Sequence, residues 1–446
     1  MNKKLIEFNN NLKNKKVAIL GLGVSNIPLL DYLLDKECSV TVFNDKKIEL
    51  DITKYPYTFY EDNESLKYLT NFDIIFRSPS FLPTREELAK EIKRGAYVTT
   101  EVTEVLKLCP CKVIGVTGSD GKTTTTTLID LLLRENGYKT FLGGNIGTPL
   151  FTKINEMTEN DIVVLELSSF QLMDMDVSPD ISIITNITPN HLDKHKDLDE
   201  YIEAKKCIYK NKGSVLVIND DNEVTKNLTS EREVRRYSRY HQTNYYYVSN
   251  NHICFNGEYL INTNEFLIKG THNYENMCAA LTVLHDMIDL NKSLNVLKTF
   301  KGVEHRLEFV REINGAKWYN DSVSSSPTRT IAGLNTYNED IVLIAGGYDK
   351  NLDYTPLARP ILDKVKVLIL MGTTKDKIKN AVLSLKKDED IEIIVCDNLS
   401  DSVNKAYELA KPNNVVLLSP ASASFDMFKN FADRGEQFKK LVSELK

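Results

Sequence analysis

Between Gly115 and Thr126 the chain reads GVTGSDGKTTTT, a glycine turn running into a lysine and a row of threonines. These residue types can hold phosphate. Backbone N–H groups in a glycine turn at a helix N-terminus point at phosphate oxygens, where the helix dipole also favours negative charge. Gly118 and Gly121 let the backbone approach closely, Lys122 can neutralise β- and γ-phosphates, and the Thr123 hydroxyl can ligate magnesium. Ser119, Asp120 and Thr124 fill the rest of the loop. The usual spacing is a glycine, four residues, then Gly-Lys-Ser/Thr. Here Val116 stands where that first glycine belongs and Gly118 follows two residues later, so the turn is tighter. The bland alternative is a glycine turn that merely precedes a lysine. A strand pattern before the loop (KVIGVTG) and a helix pattern after it (TTTTLIDLLLREN) favour the nucleotide site.

A magnesium–nucleotide site needs further ligands on the same edge. Glu166 ends the apolar run DIVVLE, and His191 follows the run SIITNIT. In a parallel sheet the carboxyl ends of the strands gather on one side, the side of the loop. Taken singly, a strand-end glutamate or histidine is more often structural; taken with the loop they form a set. The His-x-Asp-x-His pattern in HLDKH, His191 to His195 with Asp193, is disfavoured as a metal cluster of its own because no further ligands accompany it. Tyr201, Ala204, Lys205 and Ile208 fall on one helical face, which turns Lys205 inward and Lys206 outward. Near the start, GLGVSN carries Gly21 and Gly23, but Asn26 occupies the third glycine position of a dinucleotide fingerprint, so a nicotinamide cofactor is not expected.

These residues need strands and helices to position them. KKVAILGLG, IPLLDYLLDK and SVTVFND read as strand, helix, strand, and FDIIFRSPS repeats the strand-and-turn theme. DIVVLEL, DISIITNIT and GSVLVIND add buried strands, and HNYENMCAALTVLHDMI is a helix by its three- and four-residue apolar steps. After FKGVEHRLEFV the theme restarts with DIVLIAGG, KVKVLILMG, IEIIVCDN and NVVLLSP. The alternation predicts an α/β protein with mostly parallel sheets in three domains, 1–108, 109–301 and 302–446. The first and last are Rossmann-like; the central one is built around the phosphate loop.

Composition bounds the function. The 446 residues are 42% hydrophobic and 26% charged, with 56 basic against 62 acidic residues and a net charge of −6, so no overall basic excess points to nucleic acid. The basic, aromatic stretch REVRRYSRYHQTNYYY could suit single strands, but it fits a peripheral β segment better. MNKKLIEFNN has no apolar core of a secretory signal, and no run approaches the length of a membrane span. The seven scattered cysteines lack zinc spacing and are expected to be reduced, in a cytoplasmic protein that does not engage membranes.

TGSDGKTTT, ELSSFQL, NITPNHLDKH, YIEAKKCIY, HNYENMCAAL, HRLE, NDS and LSPASASFDMFKNFADRG, in this order over nearly the whole chain, resemble the Mur ligases, which use the shortened loop. The resemblance implies a monomeric ATP-dependent ligase of peptidoglycan synthesis that adds D-glutamate to UDP-N-acetylmuramoyl-L-alanine through an acyl phosphate. It implies a Rossmann-like domain for the UDP-linked substrate, with Val24, Ser25, Asp45, Asn145, Ser168 and Gln171 as its contacts. A central domain would bind ATP and a pair of magnesium ions, with Thr123, Glu166, His191 and Lys205 as metal positions and Lys205 carbamylated. Asn273, Asn276, Arg306 and Asp321 would contact the nucleotide. A C-terminal domain closing over ATP would bind D-glutamate through His191, Ser325, Arg329, Lys350, Ser424 and Phe431. Lys122, Glu166, His191, Lys205 and Lys350 would carry the catalysis.

The chain departs from the family in one place. Many relatives read NDSKATN; this chain reads NDSVSSSPTR from Asn320, so Val323 takes the place of a lysine and Ser325 that of a threonine. Arg329, just past Pro327, is the candidate to supply the missing charge, a surface helix residue being the alternative. The DNPR-type motif of relatives that add a diamino acid is absent, which favours glutamate. A folylpolyglutamate-type ligase and a non-catalytic nucleotide-binding regulator stand as competing functions; the broken fingerprint with Ser25 and Asp45 argues against the first, the retained lysines, Glu166 and His191 against the second.

Overall fold

Short runs of valine, isoleucine and leucine with small or polar residues at their carboxyl ends make strands buried on both faces, and helices cover them. The computed structural model describes residues 2–48, 50–191, 194–268, 270–350, 352–388 and 390–446. Contacts divide the chain into two compact units, Met1–Thr263 with Thr271–Leu297, and Asn264–Gly270 with Lys298–Lys446.

Among the described residues the first unit holds three sheets. Five parallel strands, β1 (Lys16–Leu20), β2 (Ser39–Phe43), β3 (Thr58–Tyr60), β4 (Ile74–Arg77) and β5 (Tyr97–Thr99), lie in the order β3-β2-β1-β4-β5. Six more parallel strands, β6 (Lys112–Thr117), β7 (Thr140–Gly144), β8 (Ile162–Glu166), β9 (Ile181–Ile184), β10 (Val215–Asn219) and β11 (Glu233–Tyr237), lie in the order β11-β10-β9-β6-β8-β7. One apolar core runs through both, from Leu12, Val17 and Phe76 to Val163 and Leu165. Phe151 is its hinge stone: its ring packs edge-on against Tyr32 at 4.8 Å, Phe8 at 5.7 Å and Phe76 at 6.2 Å. The small third sheet is an antiparallel meander of β12 (Tyr247–Ser249), β13 (His252–Phe255) and β14 (Glu258–Asn262).

The basic, aromatic stretch divides between β11, at the edge of the second sheet, and β12. Its arginines are engaged within the protein. Arg236 pairs with Asp220 at 2.6 Å, Arg239 with Glu275 at 3.0 Å, and Arg235 with Glu233 at 2.7 Å and Asp286 at 2.5 Å.

The second unit is one sheet of β15 (Glu308–Ile313), β16 (Ala316–Asn320), β17 (Ile341–Gly346), β18 (Val365–Met371), β19 (Glu392–Val395) and β20 (Val415–Leu418), in the order β15-β16-β20-β17-β18-β19. Strand alternation splits its core cleanly. Ile341, Leu343, Ala345, Leu368 and Leu370 face one apolar cluster, and Val342, Ile344, Val367, Ile369 and Met371 face the other. The β15–β16 hairpin is antiparallel, so this sheet is mixed, which the strand-and-helix alternation did not foretell. No helix among the described residues is long and apolar enough to cross a membrane.

Candidate active site

β6 stands between β9 and β8, and the loop it feeds emerges at their carboxyl ends. Gly118 (φ +151°) and Gly121 (φ +77°) adopt backbone conformations that an L side chain resists. A Cβ at Gly118 would overlap Thr185 Oγ1, and one at Gly121 would overlap Asn276 Oδ1. The loop is pinned to the segment after β9. Ser119 N donates to the Asn186 carbonyl at 2.9 Å, Asp120 N to Asn186 Oδ1 at 2.9 Å, and Ser119 Oγ to the Thr188 carbonyl at 2.9 Å. Gly121 is the N-cap of the helix Lys122–Glu135. Asn273 and Asn276 are one turn apart on the helix Thr271–Leu284, and Asn276 Oδ1 accepts from Thr125 Oγ1 at 3.3 Å. The loop and Asn276 are thus brought to one place, with Thr123 and Thr124 in the first turn of the helix that leaves the loop.

Two lysines converge on the same loop carbonyl. Lys122 Nζ donates to the carbonyls of Gly118 and Ser119, both at 2.8 Å, and Lys205 Nζ donates to the Gly118 carbonyl, also at 2.8 Å. The expected face of the helix Leu198–Lys206 is the buried one: Tyr201, Ala204 and Lys205 are inside, followed by Ile208, while Lys206 pairs outward with Glu203. Lys205 is 1% exposed and its ammonium lies 4.6 Å from the Tyr201 ring centre. Burial, and then the positive charge of Lys122, push its pKa well below the ordinary lysine value.

Glu166, at the end of β8, is equally buried. Asn145 Nδ2 donates to its Oε1 at 2.8 Å, whereas Oε2 has no hydrogen-bond partner. A buried carboxylate oxygen left without a donor is costly, and a cation is an ordinary way to satisfy it. The donor set of Thr123, Glu166 and the segment after β9 suits magnesium. His191 is exposed, has φ +55°, and its ring meets Phe170 edge-on at 5.4 Å. His195, the other histidine of HLDKH, is buried within the wall. It stacks on Phe170 at 5.0 Å, bonds Ser169 Oγ at 2.9 Å and lies 3.3 Å from Glu200. Asp193 lies outside the described residues.

Asn145, Ser168 and Gln171 are expected to contact substrate, and the structure shows a local task for each. Asn145 orients Glu166. Ser168 and Gln171 form a reciprocal capping box at the short helix Ser169–Leu172. At the first sheet, Val24 and Ser25 follow β1 and Asp45 follows the neighbouring β2. Asn26, in place of a third glycine, closes the turn by donating to the Gly21 carbonyl at 2.9 Å. Asp45 does not stand alone: Arg85 meets it bidentately at 3.3 and 3.2 Å, bonds Asn63 at 3.2 Å, and lies 4.5 Å over the Phe81 ring. Arg85 was missed in the sequence, where nothing local marks it. Arg77 was missed as well. Fully buried at the end of β4, it pairs with Asp174 and donates to the Phe170 carbonyl at 3.1 Å, fixing the ring that both histidines touch.

In the second unit the candidates follow three adjacent strands, β16, β20 and β17. Asp321, after β16, accepts from Ser419 Oγ at 2.7 Å, and burial raises its carboxyl to about 6. Arg306 lies beside it in charge terms, lowering that value. Buried Arg434 ties two loops together: it donates to the Ser322 carbonyl at 2.9 Å and to those of Ser422 and Ala423 at 3.1 Å. Ser322 Oγ in turn donates to the Phe431 carbonyl at 2.7 Å. Tyr348 N bonds the Ala423 carbonyl at 2.9 Å, and the Lys350 ammonium lies 5.5 Å over the Phe425 ring beside buried Ser424. Ser325 N donates to the Val323 carbonyl at 2.9 Å, and Arg329 Nη1 reaches back to the same carbonyl at 3.4 Å. The helix that carries Arg329 begins at Pro327, as its sequence predicts.

Comparison with known proteins agrees with this geometry. A family model described as the Mur ligase middle domain matches residues 116–284, and one described as Mur ligase, glutamate ligase domain, matches residues 305–422. The UDP-N-acetylmuramoylalanine--D-glutamate ligase of Clostridium acetobutylicum is 47% identical, covering 99% of each chain. Among solved structures, the UDP-N-acetylmuramate-alanine ligase MurC of Thermotoga maritima superposes with a TM-score of 0.61 at 18% identity, over 97% of this chain and 100% of that one. The MurF ligase of Thermotoga maritima in complex with ADP does so at 0.55 and 17% identity, over 98% and 97%. At those identities the two structures speak for the fold alone.

Proposed function

The chain belongs to the Mur ligase family, and from that premise we propose that it joins D-glutamate to UDP-N-acetylmuramoyl-L-alanine with ATP, a step of peptidoglycan synthesis. The observation that carries the nucleotide site is the loop itself: Gly118 and Gly121 hold backbone conformations that side chains resist, at the N-terminus of the helix Lys122–Glu135, with the Lys122 ammonium on the Gly118 carbonyl.

A carboxylate is a poor electrophile. Transfer of the γ-phosphoryl group to the L-alanyl carboxylate supplies a leaving group; the D-glutamate amine then attacks that carbonyl, and phosphate departs from the tetrahedral intermediate. Lys122 and the N–H groups of the loop hold the phosphates. Thr123, Glu166, His191 and Lys205 are the residues that would hold magnesium, which when bound offsets charge on the transferring group. The depressed pKa of Lys205 supports its being carbamylated, since CO₂ adds to the neutral amine. Residues 1–108 take the UDP moiety, 109–301 the ATP, and 302–446 the D-glutamate. We place the enzyme in the cytoplasm as a monomer. Phosphate release from ATP, measured with UDP-N-acetylmuramoyl-L-alanine and D-glutamate and with each omitted in turn, tests the assignment. Release that is indifferent to D-glutamate would contradict it.

Asp45 and Arg85 form the polar platform for the UDP moiety. Asp45→Ala is expected to raise the KM for the UDP-linked substrate about tenfold, the scale of one charge-assisted hydrogen bond, and to leave the KM for ATP near wild type. An equal change in both constants would remove Asp45 from that site.

Arg329 is the residue proposed to stand in for the lysine missing at Val323, and its guanidinium does reach the Val323 carbonyl. Arg329→Ala is expected to raise the D-glutamate KM or lower kcat by about tenfold, and Val323→Lys in that background to restore part of the loss. Unchanged D-glutamate kinetics would mean that the charge comes from elsewhere.

A further inference from the structure

Cys109, Pro110 and Cys111 join the helix Glu101–Leu108 to β6, the strand that ends in the phosphate loop. Both cysteines are free thiols. The Cys109 side chain donates to the Cys111 carbonyl at 3.7 Å. Pro110 fixes its own φ and keeps Cys109 extended, at φ −63° and ψ 143°, so the two thiols are held near each other before any bond forms. Both line a cavity of about 400 Å³, together with Lys4, Lys112, Ser178 and Asp180. A buried thiol in apolar surroundings is inert. These two are buried at the border of the apolar core but also line a space whose other walls include Lys4, Lys112 and Asp180.

We propose that Cys109 and Cys111 form a redox-active dithiol that exchanges, through this cavity, with low-molecular-weight disulfides of the glutathione class. The neighbouring Cys109 side chain holds the Cys111 thiol below its ordinary pKa, while the neighbouring Cys111 side chain and burial raise that of Cys109, so Cys111 is the attacking sulfur. Its thiolate, having lost its proton to solvent, attacks one sulfur of the external disulfide. The external S–S bond breaks, and the departing thiolate takes the Cys109 proton. The Cys109 sulfur then attacks the Cys111 sulfur of the mixed disulfide, and the second external thiolate leaves and is protonated by solvent. Two cysteine thiols lose two electrons and two protons, and one external disulfide becomes two thiols. The new bond closes a small ring over a single residue, which is strained and therefore readily reduced again. It would form at the foot of β6, the strand that feeds the loop of Gly118 and Lys122.

The wild-type chain, treated with glutathione disulfide, quenched in acid, unfolded and alkylated with N-ethylmaleimide, tests this by intact mass and peptide mapping. Of the seven cysteines, all but two are expected to be alkylated. The mass should show loss of two hydrogens and no retained glutathione, the unalkylated pair should be Cys109 and Cys111, and dithiothreitol should restore full alkylation. Cys109→Ser is expected to trap one glutathione on Cys111, whereas Cys111→Ser leaves Cys109 unmodified. Alkylation of all seven after oxidation, a protected pair elsewhere in the chain, or retained glutathione on the wild-type pair would overturn the proposal.

Discussion

Lys122→Ala is expected to lower kcat for D-glutamate-dependent phosphate release at least about a hundredfold, the loss that follows removal of one preorganised charge from a transferring group, about 3 kcal/mol. The folded protein should persist. Lys122 is half-buried, its bonds run to two loop carbonyls, and the Gly118 carbonyl keeps Lys205 as a donor. The loop's shape rests instead on Gly118, Gly121 and the bonds to Asn186 and Thr188. A Tm close to that of the wild type together with lost turnover is therefore the expected pair of results. Turnover near wild type would show that this loop does not handle the transferred phosphoryl group.

Lys205→Met separates catalysis from stability in the opposite sense. Methionine fills a similar volume without a charge, and taking an ammonium out of a site that is 1% exposed relieves desolvation. Turnover should fall at least about a hundredfold while stability is kept or rises. The pH dependence has a definite sign. Lys205 titrates in the folded protein well below its unfolded value of about 10.4, so between those two values the unfolded chain holds the extra proton. Wild-type stability relative to Lys205→Met should accordingly rise with pH across that window. The deficit is largest below the folded pKa and closes as pH approaches about 10. Denaturant unfolding of both proteins in carbonate-free buffer measures it. A stability difference that does not change with pH would mean that the amine is not depressed, and wild-type turnover in the variant would remove Lys205 from the site.

What the linear sequence settled is what depends on neighbours along the chain. Backbone chemistry is local, so the turn at Gly118 and Gly121, the lysine after it and the helix beyond were readable. The gathering of strand ends in a parallel sheet then placed Glu166 and the segment of His191 beside the loop, and helical periodicity turned Lys205 inward. The same periodicities gave no warning of the antiparallel β15–β16 hairpin, because glutamate, arginine and lysine interrupt its apolar alternation. Tertiary structure alone decided which distant groups meet. Arg85 on Asp45, Arg77 on Asp174, Asn145 on Glu166 and Arg434 across two loops are pairings over 40, 97, 21 and 112 residues, and no local pattern encodes them. Burial decided the rest. It drives down the pKa of Lys205 and leaves one oxygen of Glu166 without a partner, both consequences of removing charge from water, which a chain read residue by residue does not reveal.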